Sequence, residues 1–256
     1  MNQKMTADDE NLTVSGLSKS FGGLKAVQDL DFKVKTGTIL GMIGPNGAGK
    51  TTVFNLITGF IQPDRGSITW KGANLLGLKT HQIVNRGIAR TFQLVKPFPE
   101  LSLRDNLRVA CFCPRFKRRH PGYQNMEEII NEVATRVGLP ANLDQMAANL
   151  GHGDLRLLDI ARALIIEPEL LLLDEPLSGL SSIETQKIVK FIQNLNKQNL
   201  TIFIIEHKLK ELMKIAHQIV AIDFGVKLTV GTPEEVVVNP KVIEAYLGGR
   251  KEHVTA

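Results

Sequence analysis

The nine residues GPNGAGKTT, Gly44–Thr52, follow directly on the short apolar run TILGMIG, Thr38–Gly44. They match the pattern G-x-x-x-x-G-K-[ST] in full. Small residues let successive backbone N–H groups turn toward phosphate oxygens, and a helix that starts at the end of such a loop adds the partial positive charge of its N-terminus. A glycine-rich turn that matches by chance is the alternative. The pattern therefore predicts a phosphate-binding loop between a buried strand and a helix.

Each residue of this loop is a candidate for nucleotide binding. The Lys50 ammonium can reach the β- and γ-phosphates of ATP, and the Thr51 hydroxyl can ligate Mg²⁺. The other candidates for nucleotide binding are Gly44, Pro45, Asn46, Gly47, Ala48, Gly49 and Thr52.

Two acidic residues close a second apolar run, LLLLDEP, Leu170–Pro176. Asp174 is placed to join the Mg²⁺ shell, and Glu175 is placed to polarise an attacking water as a general base. His207 ends the run TIFIIEH and is predicted to contact the γ-phosphate, although a lone histidine there also fits a structural role. Gln93, in RTFQL, can reach Mg²⁺ or the water. Together these residues predict a site that hydrolyses ATP.

The composition favours a globular α/β chain that is made and kept in the cytosol. Of its 256 residues, 43% are hydrophobic and 22% charged, which is ordinary for a globular protein. No apolar run approaches the roughly 18 residues that span a bilayer, and the first ten, MNQKMTADDE, are unlike a secretory signal. Cys111 and Cys113 lack the second Cys or His pair of a zinc site, so we expect reduced thiols. The net charge of +5 is spread out, and the basic run Arg115–His120 is predicted to be a solvated loop.

Strand patterns predict a parallel core preceded by antiparallel strands. The segments LTVSGL, VQDLDFKVKTG and GSITWKG alternate and turn like antiparallel strands. ELLLLDE and NLTIFIIEH are continuous apolar runs, which is typical of strands buried on both faces of a parallel sheet. Between them, apolar residues recur at helical spacing, at Ile188, Phe191, Ile192 and Leu195.

The stretch from about 97 to 150 has few strand signals. Helical patterns occur around 102–110 and 126–137, so we predict a mostly helical insertion in the α/β core. Near the end of the chain, GTPEEVVV predicts a short helix, with Thr232 as N-cap, Pro233 at the first helical position and Glu235 completing a capping box.

These pieces, in this order, resemble the ATP-binding cassette (ABC) ATPases from about residue 11 to 249. The stretches GLSKSFGGLKAV (16–27), GIARTFQLVKPFPELSLRDNL (87–107) and GTPEEVVVNPKVIEAYLGG (231–249) look like the ATP-binding subunits of branched-chain amino-acid importers. The resemblance implies an α/β P-loop NTPase fold with a parallel core sheet and an N-terminal antiparallel β subdomain. It also implies one domain over 11–249 with a helical subdomain at about 95–160. Residues 1–10 and 250–256 are predicted to be flexible termini.

The resemblance also implies roles and partners. Phe21 falls where the family stacks an aromatic ring on adenine, Gln93 where a loop links the nucleotide to the membrane partner, and His207 at the switch histidine. The implied cofactors are ATP and Mg²⁺. The implied partners are transmembrane permease subunits, a second ABC ATPase subunit, identical or different, and indirectly a substrate-binding protein. The expected location is the cytoplasmic side of the plasma membrane.

The segment Leu150–Asp154, here called the signature segment, departs from the family pattern L-S-G-G-Q. It reads Leu150, Gly151, His152, Gly153 and Asp154, so that the serine has become glycine and the glutamine has become aspartate. In the family this segment acts on the ATP of the partner subunit. Its change implies a weakened site on the partner's ATP, or else a variation that activity tolerates.

Two further departures follow the acidic pair. Ser181 stands where the family commonly has aspartate or asparagine, and it forms with Glu184 the pattern of a capping box. Lys208 replaces the more usual aspartate after the switch histidine. Two other functions remain open: a soluble cassette that acts on nucleic acid or ribosomes, and a catalytically quiet regulatory subunit. For the leading interpretation, an importer ATPase, no nucleic acid partner is expected.

Overall fold

The computed structural model of the protein describes residues 10–248. These residues form two compact units, one up to Thr80 and again from Thr201 onward, the other over His81–Leu200. The predicted flexible termini lie outside the described residues, except that Glu10 begins the first strand. The single-domain limits and the helical subdomain at about 95–160 stay predictions.

Helices and strands are both present along the chain, as expected for an α/β fold. Among residues 10–248 the elements are β1 (Glu10–Phe21), β2 (Leu24–Lys35), β3 (Ile39–Ile43), α1 (Lys50–Ile57), β4 (Arg65–Trp70), β5 (Ala73–Asn74), α2 (Thr80–Asn85), β6 (Ile88–Arg90), α3 (Leu103–Cys111), α4 (Pro114–Arg119), α5 (Met126–Val137), α6 (His152–Ile165), β7 (Leu170–Asp174), α7 (Ser182–Lys197), β8 (Thr201–Ile205), α8 (Leu209–Met213), β9 (Gln218–Asp223), β10 (Val226–Gly231), α9 (Pro233–Val237) and α10 (Pro240–Gly248). Within this range no helix is long and apolar enough to cross a bilayer.

The first unit contains the predicted antiparallel sheet, with strand order β2-β1-β4-β5. Val14 of β1 faces Phe32 of β2 on one side and Ile68 of β4 on the other. All three side chains are buried, and as directly opposite residues of paired strands they lie on the same face of the sheet. The antiparallel N-terminal strands are thus confirmed.

The same unit also contains parallel strands. β3 lies between β8 and β9 and runs parallel to both, with Gly41 level with Ile204 and Ile219. Every residue of β3 and β8 is buried, which explains their continuous apolar sequence. β10 adds an antiparallel edge to β9. The ring of Phe54 in α1 packs edge-on against Phe203 in β8, at 4.9 Å between centroids.

The second unit is largely helical, with one parallel strand pair, β6 and β7. Helices α3, α5 and α6 pack on one another through buried side chains that include Leu107 and Ile130. Three residues of the repeat predicted for α7, Ile188, Ile192 and Leu195, are buried, while the fourth, Phe191, is only half-buried.

Both predicted capping boxes are present. The Ser181 and Thr232 side chains accept from the backbone N–H groups of Glu184 and Glu235, whose carboxylates accept from the cap N–H groups in return. At the start of each helix, two backbone N–H groups that lack a partner within the helix are thereby hydrogen-bonded. The starts of α7 and α9 therefore follow from local sequence.

The basic run at 115–120 is not a solvated loop, and this corrects the prediction. Most of it forms α4, and Phe116 is fully buried. Arg115 is only 7% exposed. Its guanidinium donates to two backbone carbonyls just after α6 and pairs with Glu169 at 3.0 Å. A run of like charges favours solvent when read alone, but here one turn of helix places one arginine inward, where carbonyls and a carboxylate compensate its charge.

The two cysteines have separate structural environments. Cys111 is buried, and burial raises the pKa of its thiol to about 12. The Cys113 sulfur accepts from the N–H of Phe116 and caps α4. With a protonated thiol at Cys111 and a capping sulfur at Cys113, both cysteines have structural roles.

Candidate active site

In the first unit, the loop after β3 has a backbone that requires glycine at particular positions. Gly49 has φ 99°, and a Cβ there would lie 2.2 Å from the carbonyl oxygen of Ala26. A Cβ at Gly44 would lie 2.2 Å from the carbonyl oxygen of Ile222. Gly47 has φ 82° but open space around it. The glycines therefore allow two things, namely a left-handed backbone conformation and a close approach of neighbouring segments of the chain.

The Lys50 side chain is 6% exposed and lies within this loop. Its Nζ donates to the carbonyl oxygens of Gly44 at 2.7 Å and Pro45 at 2.8 Å. These acceptors are neutral, and a phosphate oxygen offers an ammonium a stronger, charge-assisted hydrogen bond. Lys50 also begins α1, so the N-terminus of that helix lies at the end of the loop, beside the exposed Thr51.

The loop after β8, also in the first unit, is organised by a carboxylate that the sequence analysis missed. Glu206 is buried, and its Oε2 accepts from the backbone N–H groups of His207 at 3.1 Å and Lys208 at 3.3 Å. The His207 side chain is exposed. The sequence did offer a signal, because Glu206 is an acidic residue directly after a buried strand, and a buried carboxylate needs hydrogen-bond donors nearby.

Phe21 ends β1 with its ring 47% exposed. The Lys19 ammonium lies 5.6 Å from the ring centroid and pairs with Asp64 at 2.8 Å. An aromatic face that is open to solvent is available for stacking on a flat ligand.

In the second unit, Asp174 ends β7 and forms a buried ion pair. Its Oδ2 is 2.8 Å from Nη2 of Arg90, and the two side chains are 1% and 6% exposed. Burial raises the pKa of Asp174, while the hydrogen bond from Arg90 opposes that shift. The other oxygen, Oδ1, is buried with no hydrogen-bond partner among the described residues. Sequence reasoning did not single out Arg90, because nothing local relates it to a residue 84 positions away.

Glu175 and Gln93 meet in the same unit. The Gln93 Nε2 donates to Oε2 of Glu175 at 2.9 Å, across 82 residues of sequence. Glu175 has φ 48°, a left-handed conformation that a non-glycine residue adopts at a cost of about 1–3 kcal/mol. Such strain persists where the surrounding structure imposes it. The structure thus brings together two of the predicted catalytic residues.

The Gln93 segment is held by α6, which sequence reasoning also missed. Arg156 donates to the carbonyl oxygens of Phe92 at 2.9 Å and Gln93 at 3.0 Å. Asp159 accepts from the N–H of Phe92 at 3.1 Å. Burial raises the pKa of Asp159, and the Phe92 hydrogen bond opposes that shift.

The signature segment forms the start of α6. Gly151 is the N-cap, and it provides no side-chain hydrogen bond. A Cβ at Gly151 would meet nothing within 4 Å, whereas one at Gly153 would lie 2.3 Å from Oε1 of Glu184. His152 is exposed and Asp154 half-buried. The fold therefore has room for the serine that this chain lacks, whereas a side chain at position 153 would have to displace the Glu184 carboxylate.

Helix α6 carries apolar residues at helical spacing, at Leu157, Ile160, Ala161 and Leu164, and most but not all of them are buried. Leu157 is only half-buried, while Leu158 is fully buried beside Ile160, Ala161 and Leu164. The helix is buried over a wider arc than one stripe, because Arg156 and Asp159 are also inside.

Comparison with known families decides what this arrangement is. The ABC transporter family model matches residues 27–178, and the model of branched-chain amino acid ATP-binding cassette transporters matches residues 226–252. The chain belongs to the ABC transporter ATP-binding family. Members of this family bind ATP and hydrolyse it to drive transport, so this ABC cassette is an ATPase.

Curated relatives cover nearly the whole cassette. It is 42% identical over 250 residues to the "High-affinity branched-chain amino acid transport ATP-binding protein LivG" of Salmonella typhimurium, covering 93% of this chain and 97% of the relative. It is 41% identical over 254 residues to the corresponding protein BraF of Pseudomonas aeruginosa, with the same coverage. Among solved structures, the ADP conformation of MJ1267, an ATP-binding cassette of an ABC transporter, aligns with TM-score 0.85 and 29% identity, covering 93% of this chain and 99% of that chain.

Proposed function

We propose that the cassette is the ATP-hydrolysing subunit of an importer for branched-chain or other hydrophobic amino acids, bound at the cytoplasmic face of the plasma membrane. The observation that carries the proposal is the similarity to LivG and BraF along nearly the whole chain, together with the match at residues 226–252. A soluble cassette acting on nucleic acid or ribosomes is not favoured, because these relatives are named for amino-acid transport.

ATP is assigned to the loop Gly44–Thr52, with the Lys50 ammonium on the phosphates. Two observations support this role. A side chain would have no room at Gly44 or Gly49, and the Lys50 ammonium is bonded to neutral carbonyl oxygens that a phosphate could replace. The exposed ring of Phe21 stacks on adenine. Since phenylalanine has a flat face and no hydroxyl, it should discriminate poorly between ATP and GTP.

Mg²⁺ is assigned to Thr51, Asp174 and Gln93. This donor set consists of oxygens, which suit a hard cation, and the unpartnered Oδ1 of Asp174 is a buried acceptor that such a shell would satisfy. When bound, the ion neutralises charge on the phosphates.

Hydrolysis is assigned to three residues of this chain. Glu175 accepts a proton from the attacking water as general base. The Gln93 amide, which donates to Glu175, orients that carboxylate and the water. His207 donates to the γ-phosphate, where charge accumulates as the bond breaks.

The partners are permease subunits, a second cassette and, indirectly, a substrate-binding protein. The signature segment would act on the second cassette's ATP. Gly151 lacks a hydroxyl donor whose hydrogen bond to a phosphate typically contributes roughly 1.5–3 kcal/mol. Asp154 would add repulsion of about 3–4 kcal/mol if its charge lay about 4–5 Å from a phosphate charge at an effective dielectric near 20. We therefore propose two unequal ATP sites.

The test uses the cassette assembled with its permeases and binding protein in proteoliposomes, with leucine uptake and ATP hydrolysis measured together. Glu175→Gln should lower hydrolysis by roughly 100-fold or more, the usual contribution of a general base, and stop uptake while ATP still binds. Lys197→Gln, an exposed change at the end of α7, is the control and should leave both unchanged.

Separate results would contradict separate parts of the proposal. Hydrolysis that no hydrophobic amino acid stimulates would refute the substrate class. Uptake that survives both Glu175→Gln and Lys50→Ala would show that this chain is the quiet subunit instead.

A further inference from the structure

The segment that carries Gln93 has little local structure to hold it. Between the end of β6 and the start of α3 the chain forms no helix, and Gln93 is exposed. Its amide nevertheless lies 2.9 Å from the Glu175 carboxylate. A side chain on an irregular segment keeps such a contact only if its backbone is fixed from elsewhere.

Helix α6 supplies that fixation through two side chains. Arg156, 1% exposed, donates from Nη1 to the Phe92 carbonyl and from Nη2 to the Gln93 carbonyl. Asp159, three residues on and therefore on the same helix face, accepts from the Phe92 N–H. Hydrogen bonds that involve an ionised group are about twice as strong as neutral ones, and here the Arg156 and Asp159 side chains that make them are buried. Arg156 thus holds the two carbonyl groups of residues 92 and 93, and Asp159 holds the N–H of residue 92.

We propose that Arg156 and Asp159 are positioning residues for ATP hydrolysis, which clamp the Gln93 backbone to α6 and hold its amide on Glu175. Neither residue is assigned a contact with nucleotide. The inference rests on the proposed role of Gln93 and extends it.

The contacts are tested without nucleotide, by hydrogen exchange of the full chain followed by mass spectrometry of peptides that span Phe92. Asp159→Ala and Arg156→Met should each speed exchange of this segment by roughly tenfold or more, because the loop opens locally when its hydrogen bonds are lost. Asp159→Asn keeps an acceptor and should exchange nearly as slowly as the native chain. Arg162→Met is the matched control, since Arg162 lies on the same helix but donates to the carbonyl of Lys96.

The function of the clamp is tested by kinetics of the assembled transporter. Arg156→Met should lower kcat about tenfold, equivalent to about 1.4 kcal/mol, with KM for ATP changed less than about twofold. Arg156→Lys separates charge from geometry, because a lysine keeps the positive charge that acts on Asp174 but loses the forked contact with two carbonyls. It should behave like Arg156→Met.

A double-mutant cycle with Gln93→Ala distinguishes positioning from general structural support. If Arg156 acts through Gln93, Arg156→Met should change kcat less than about twofold in the Gln93→Ala background. Effects that multiply would overturn the proposal, as would native exchange at Phe92 in Asp159→Ala. If Gln93→Ala alone leaves kcat unchanged, the assignment of Gln93 fails, and the exchange experiment still decides whether the clamp exists. Should Arg156→Met fail to fold, Arg156→Lys takes its place in every comparison.

Discussion

The buried pair of Arg90 and Asp174 gives a prediction whose size follows from its geometry. Arg90→Met removes the guanidinium that lies 2.8 Å from a carboxylate that is only 1% exposed. Two unit charges about 4 Å apart at an effective dielectric near 20 interact by about 4 kcal/mol. Breaking a buried pair costs about 3–5 kcal/mol, because the remaining charge is uncompensated. We expect a loss of that order in the free energy of unfolding.

The loss should depend on pH. Burial already raises the pKa of Asp174, the Arg90 hydrogen bond is the largest influence that lowers it, and the charge of Glu175 raises it. Without Arg90 the folded-state pKa rises further, so the penalty is absent below the unfolded value of about 3.9 and grows until pH exceeds the folded value. Arg90→Met should therefore destabilise the chain less at about pH 5.5 than at about pH 8.

The assay is urea unfolding of native and variant chains at both pH values, with a chelator present. Arg118→Met, at an exposed arginine of the same unit, is the control and should shift stability by less than about 0.5 kcal/mol. Adding Asp174→Asn to Arg90→Met removes the stranded charge and should recover much of the loss at the higher pH. An equal loss at both pH values, with no recovery in the double variant, would refute the electrostatic explanation.

Three further predictions concern other parts of the cassette. Gly151→Ser with Asp154→Gln should raise ATP turnover of the assembled complex, and unchanged turnover would contradict unequal sites. Gly49→Ala should abolish binding of a fluorescent ATP analogue, because the new Cβ would overlap the carbonyl oxygen of Ala26. Gly47 has the same left-handed backbone but open space around it, so Gly47→Ala should weaken binding by no more than about tenfold. Two arginines of α3, chiefly Arg108 through its hydrogen bond, lower the pKa of Glu127 below its usual value of 4.5. Glu127 should therefore stabilise the fold above pH 4.5 and lose that contribution as pH falls through the lowered pKa. Glu127→Gln should reduce the melting temperature at neutral pH, and a reduction that does not shrink as the pH is lowered below 4.5 would contradict this explanation.

The sequence was sufficient for features that depend on neighbouring residues. The phosphate-binding loop could be predicted because its glycines, lysine and threonine all lie within nine consecutive residues. The capping boxes at Ser181 and Thr232 could be predicted because each joins residues only three positions apart. Strand type followed from apolar runs such as β3, whose residues are all buried. These are short-range signals, because each depends on backbone geometry that repeats within one or two turns.

Only the tertiary structure decided which distant side chains meet. The pairing of Arg90 with Asp174 spans 84 residues and the clamp of Arg156 on Gln93 spans 63. The inward turn of Arg115, which the sequence wrongly placed in solvent, likewise depends on carbonyls about 50 positions away. A charged side chain needs a partner once it is buried. Whether it is buried depends on how strands and helices pack, and no short stretch of the chain determines that packing.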